Sequence, residues 1–188
     1  MASLDTLPEV TGKRLDGSEM VLPNDLPAPW NLLVISFTGE QDRLSDQWIA
    51  LAEGIAENAE GRLASFELPL IGKGFRVFEG LIRASLRWQA DRTGEAERTV
   101  PLYVDRKDFS KALGIKDRKT VHALLVDNTG TVHWRGSGPL VPEMIAELER
   151  KVGESLSGGT RTSGPAQSSR DREPGEGLDM DKHSRANS

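Results

Sequence analysis

A near-continuous apolar run, WNLLVISF at residues 30–37, leaves this chain few architectures. A strand without apolar/polar alternation must be covered on both faces, the situation of a central strand in a sheet carrying helices on either side. A helix is predicted directly after it, from about Glu40 to Asn58. Leu44, Trp48, Leu51, Ala52 and Ile55 recur there at helical spacing, and Gly61 ends it.

The same alternation continues. LASFELPL reads as the next strand, and residues 74–90 as a second helix with Phe75, Phe78, Ile82 and Leu86 on one stripe. TVPLYVD is a short strand, and KDFSKALGI a short helix closed by Gly114. VHALLVD and TVHWRG form a hairpin around Asn128-Thr129-Gly130. Pro142 opens a last helix, with Val141, Met144, Ile145, Leu148 and Val152 expected to face inward. Ahead of all this, VTGKRLDGSEMVL signals an N-terminal hairpin turning at Asp16-Gly17. The pattern predicts an α/β sandwich with a central mixed sheet. Trp30, Trp48 and Trp134 are expected in the core or half-buried.

Apolar residues make up only 37% of the 188, because few of them lie beyond Val152. One domain is therefore expected over residues 1–152. From Gly153 to residue 188 the chain is rich in Gly, Ser, Pro and mixed charge, without periodicity, and is expected to be a disordered tail. The formal net charge of −5 argues against general nucleic-acid binding. Leu32 to Phe37 is too short to cross a bilayer, so no membrane span is expected. MASLDTLPEV lacks a basic and an apolar segment, so a cytoplasmic location is the expectation. The chain has no cysteine and hence no disulfide.

Within the second helix Arg76, Arg83 and Arg87 form a stripe that fits an anion or an acidic partner. Glu79 sits at helical spacing from Arg76 and Arg83, so a solvated ion-pair row accounts for it equally. Val77, Leu81 and Trp88 make a second apolar row, roughly opposite the first. It calls for a protein partner, a membrane surface, a second copy or another part of the chain. P-loop, dinucleotide-glycine and His-Glu-x-x-His patterns are absent. His122 and His133 are expected on opposite faces of their hairpin, with His122 beside Leu124, Val126, Val132 and Trp134. That spacing suits no metal site, and no cofactor is expected.

The segment VPLYVDRKDFSKALGIKDRKTVHALLVDNTGTVHWRGSG resembles the C-terminal half of redoxin domains of the thioredoxin-like superfamily, the AhpC/TSA-like and TlpA-like redoxins. The TGKRLDGSEMVL hairpin and the WNLLVISF strand sit where such domains put theirs, so the resemblance covers residues 7 to 152. It implies a three-layer α/β/α sandwich and a reactive site where WNLLVISF meets its helix. A Cys-x-x-Cys motif would fall near Gln41 to Leu44, and neither residue is a thiol. Thr38 matches the threonine that peroxiredoxins carry ahead of their cysteine, but Gln41 occupies the cysteine's place. A cis-proline, or in peroxiredoxins an arginine, would precede VHALLVD; Thr120 and Val121 stand there instead.

Dithiol and peroxidase chemistry run on a protein thiolate. A glutamine amide has no accessible pKa and negligible nucleophilicity, so these mechanisms are excluded for this chain's own side chains. What the resemblance leaves is a non-catalytic module binding a protein or small ligand at the remnant face of Thr38, Gln41 and His122. Thr38 is either a helix cap or part of an anion site at the helix start. His122, on the strand bordering that face, is either structural or a general base lacking a nucleophile. The alternative is a thiol-independent or glutathione-assisted oxidoreductase. The ending WRGSGPLVPEMIAELE is similar to that of the mitochondrial ATP-synthase assembly factors, thioredoxin-like chaperones, which implies assembly work through an exposed apolar patch.

Overall fold

A computed structural model of the chain describes residues 6–90 and 97–158. A two-stranded hairpin, β1 (Val10–Lys13) and β2 (Glu19–Leu22), precedes a five-stranded sheet. The sheet consists of β3 (Trp30–Ser36), β4 (Leu63–Gly72), β5 (Leu102–Val104), β6 (His122–Asp127) and β7 (Val132–Ser137), in the order β5-β4-β3-β6-β7. β3, β4 and β5 run parallel, and β6 and β7 are antiparallel, so the sheet is mixed as expected. The helices are α1 (Asp42–Ala56), α2 (Glu79–Ala90), α3 (Arg106–Ala112) and α4 (Pro142–Gly158).

β3 is the central strand, bonded to β4 on one side and β6 on the other, which is why its sequence does not alternate. Its odd positions Leu33 and Ile35 join Phe66, Leu68, Leu124 and Val126 in one core, closed by Met20 and Leu22 of the hairpin and Phe109 and Leu113 of α3. Its even positions Leu32 and Val34 join Ala123, Leu125 and Trp134 in a second core beneath Trp48 and Ala52 of α1 and Leu148 and Val152 of α4. Burying a large apolar side chain contributes about 1.5–3 kcal/mol, so these two faces account for the three layers. α1 and α4 cover one face of the sheet, and the hairpin and α3 the other.

Local signals set the punctuation. Asp16 accepts hydrogen bonds from the backbone N–H and hydroxyl of Ser18, and Gly17 takes φ +95°. Asp105 caps α3 by accepting from the N–H groups of Lys107 and Asp108. Asp127 Oδ1 accepts from the N–H groups of Thr129 and Thr131, fixing the β6–β7 turn.

Several expectations need correction. Residues 73–78 form a 3-10 turn (Lys73–Phe78) before α2 begins, so the predicted helix over 74–90 is two elements. Phe75 and Phe78, expected to face the sheet, are more than half exposed. α4 continues to Gly158, past the boundary placed at Gly153: Val152 and Leu156 pack into the second core. The remainder of the expected disordered tail lies outside the described residues. Val141 precedes α4 and is exposed.

Trp134 is not on the face of His122, Leu124 and Val126. The register passes from Leu125↔Trp134 to Val126↔Val132, so His133 is the extra residue of a β-bulge. The bulge turns Trp134 into the second core while Val132 packs against the first. His133 is left exposed, 2.8 Å from Asp127 Oδ2 and edge-on to Trp30.

Candidate functional site

β3 ends at Ser36, and the chain enters α1 through Phe37, Thr38 and a 3-10 turn, Gly39–Gln41. Gln41 is 4% exposed. Its Oε1 accepts from the Phe37 N–H at 2.7 Å, and its Nε2 donates to the Arg118 carbonyl at 3.1 Å. The amide thus bolts the end of β3 to the loop ahead of β6. The other polar group of Phe37's backbone is also met by a side chain, for Arg106 Nη1 donates to its carbonyl at 2.9 Å.

His122 begins β6 and pairs with Ile35. Its Nε2 lies 2.5 Å from the Asp117 carbonyl, which can only accept, so that nitrogen carries the proton. The ring stands edge-on to Phe37, with centroids 6.2 Å apart. A base role at Nε2 is incompatible with this bond. Thr38 is exposed and extended, and its side chain makes no capping hydrogen bond; only its carbonyl accepts, from the Gln41 N–H. The expected cap is therefore absent. The structure brings Gln41 and His122 together around Phe37 and the loop 116–120, whereas Thr38 points to a different space.

That space is a cavity of about 550 Å³ over the carboxyl ends of β3 and β4. Ligands in open α/β sheets occupy this end of the strands. Its polar side is formed by Thr38, Asp42 and Asp46 and its apolar side by Ile71, Phe75, Ile82 and Leu86. Glu67 and Arg106 complete the charged lining. Gln41 and His122 are not part of it. Partial burial, then repulsion from Asp46, raises the Asp42 carboxyl above its ordinary value; partial burial raises that of Asp46.

The arginine stripe is only partly realised. Arg83 Nη1 lies 3.3 Å from Glu79 Oε1, the ion pair its spacing anticipates, and Lys13 Nζ reaches the same oxygen at 3.4 Å. Arg76 belongs to the 3-10 turn and is exposed. Arg87 is exposed and acts at a distance on Asp16, a carboxyl lowered chiefly by the Ser18 hydroxyl. Of the apolar row, Val77 lies in the 3-10 turn and is 83% exposed, while Leu81 and Trp88 on α2 are 73% and 67% exposed. Among the described residues no three His, Asp or Glu side chains come together as metal ligands, and no helix is long and apolar enough to cross a membrane.

Asp42, Asp46, Glu67 and Arg106 are the charged lining residues that sequence reasoning missed. The acidic pair one helical turn apart, Asp42-x-x-x-Asp46, was the available signal; Arg106, from a distant element, left none.

No family profile and no curated protein sequence matches the chain. Solved structures do. A thioredoxin-family thiol:disulfide interchange protein from Chlorobium tepidum TLS superposes with TM-score 0.54 at 13% identity, covering 83% of this chain and 99% of that one. A thiol:disulfide interchange protein from Bacteroides sp. gives 0.54 at 18% identity, over 83% and 93%. An uncharacterized thioredoxin-like protein from Porphyromonas gingivalis gives 0.56 at 16% identity, over 82% and 94%. At these identities the likeness is one of fold, and it agrees with the strand order and layers described above. The chain has a thioredoxin-like fold, built without a single cysteine.

Proposed function

We propose that this protein is a non-catalytic, thioredoxin-like binding module of the assembly or chaperone type. The observation that carries the reading is Gln41: at the strand–helix junction it is buried, and both ends of its amide are committed to backbone partners. Such a group neither exchanges electrons nor attacks a substrate, and His122 beside it is committed to the Asp117 carbonyl. Further support comes from Val77, Leu81 and Trp88, whose outward row on and just before α2 offers an apolar segment of a partner a place to bury surface.

The test has two arms. Disulfide-reduction and peroxide-consumption assays, each with and without added glutathione, are expected to match buffer; glutathione-dependent turnover would establish the oxidoreductase alternative instead. In the second arm the protein is expected to suppress thermal aggregation of a model client such as citrate synthase. The triple variant Val77→Ser/Leu81→Ser/Trp88→Ser should lose that suppression while unfolding at the wild-type temperature. Equal suppression by the variant sinks the chaperone reading.

A further inference from the structure

Asp42 and Asp46 lie one turn apart on α1, and both face the cavity. Like charges at this spacing destabilise a helix by about 0.2–0.5 kcal/mol. Asp42, in the first turn, recovers part of that from the helix N-terminus, but Asp46 is one turn further on. Neither carboxylate meets a base among the described residues. Arg106, the one cation among the described lining residues, is tethered to the Phe37 carbonyl instead.

The opposite wall is apolar, made by Pro69 and Ile71 of β4, Phe75 of the 3-10 turn, and Ile82 and Leu86 of α2. A volume of about 550 Å³ lies within the usual range of small-molecule sites, roughly 300–1,000 Å³. Among the described residues, Asp42 and Asp46 at the acidic end of this space meet no counter-ion, and its apolar end meets no filler.

We infer that the cavity between α1 and α2 binds a small amphiphilic organic cation, with its ammonium or guanidinium group at Asp42 and Asp46 and its apolar body against Ile71, Ile82 and Leu86. An anionic amphiphile of the same length is rejected by the same carboxylates. A neutral one gains only the apolar contact. The inference is separate from the proposed function, since the row Val77, Leu81 and Trp88 lies on another side of the same segment.

Octylammonium, octanol and octanoate, titrated into the full chain and followed by backbone amide chemical shifts, test this directly. Octylammonium is expected to bind at least about tenfold more tightly than octanoate, the effect of a pair energy near 1.4 kcal/mol. Its shifts should centre on residues 38–46, 69–72 and 82–86. Asp42→Asn/Asp46→Asn should bring octylammonium down to the affinity of octanol, and Leu86→Trp, which fills the apolar end, should weaken both. The inference is overturned if octylammonium gives no saturable shifts at millimolar concentration, if octanoate binds as tightly, or if the double variant leaves octylammonium affinity unchanged. None of these results alters the client-aggregation assay, so the two proposals fail separately.

Discussion

Gln41 places an amide between one donor and one acceptor that have no other described partner, the Phe37 N–H and the Arg118 carbonyl. In Gln41→Leu both are orphaned, the Phe37 N–H in a buried place and the Arg118 carbonyl in a part-buried one. A buried unsatisfied group costs about 1–3 kcal/mol, and a loss of that size is expected in urea denaturation. Gln41→Glu separates the two bonds. A carboxylate still accepts from Phe37 but turns a second oxygen toward the Arg118 carbonyl, which only a protonated acid can satisfy. Its folded pKa is then raised, the native state holds the extra proton, and stability falls as pH rises through that value. The deficit against wild type should be small near pH 4 and fully developed at pH 7. Asp46 follows the same sign for a different cause. Burial raises its pKa above 3.8, so ionising it costs stability that accumulates as pH climbs from 3.8 through the folded value. Asp46→Asn should therefore match wild type at pH 3 and exceed it slightly at pH 7 in the same denaturation assay, by no more than a few tenths of a kcal/mol because solvent screens this largely exposed carboxyl, relieving Asp42 as well. A variant that is less stable at pH 7 would refute that account.

Elements whose burial follows from their own residues were the legible ones. β3 announced itself as a doubly covered strand, and Trp48 and Ala52 marked the buried side of α1, because each pattern is local. Position 134 was misplaced because a bulge is a pairing event: a period of two, run through Val132 and Trp134, puts both on one face, and one extra residue at His133 separates them. The cavity was invisible for a related reason, since its walls come from α1, β4, α2 and the start of α3 and meet only in the fold. Thr38 and Gln41 lie at the strand–helix junction, but nothing in the sequence tells a buried amide from a presented one. The bulge has its own consequence. A Cβ on Gly136 would meet the Trp134 ring and come within 2.8 Å of Trp48 Cη2, so neither ring can yield without moving the other. Overpacking of this kind costs about 1–3 kcal/mol, and Gly136→Ala should show it in thermal unfolding, together with altered tryptophan fluorescence. Leu81→Lys, on the outward row, should stay within about 0.5 kcal/mol of wild type, because solvent already surrounds that side chain.

Across the whole molecule, stability is unevenly held. β3 is hydrogen-bonded along both edges and lies beneath both cores, so its amides are exposed only when everything opens. α2 is held differently. Glu79 at its start is reached by Lys13 at 3.4 Å, and its carbonyl accepts from the Tyr103 hydroxyl at 3.5 Å. Ile82 and Leu86 face the cavity, not a filled core, and the neighbouring β5 is only three residues long. A part-exposed ion pair is worth about 0–1 kcal/mol, far below the free energy of global unfolding. Hydrogen exchange should therefore find the amides of α2 opening at low free energy with little denaturant dependence, while those of β3 and β6 exchange at the global value. Lys13→Ala should lower protection in α2 and leave β3 unchanged. A ligand filling the cavity bridges α1 and α2 and should raise protection in α2 most. Equal protection in α2 and β3 would mean that the helix is held by contacts stronger than those described, and the exposed side chains of Val77, Leu81 and Trp88 would then sit on a rigid wall, not on a hinged one.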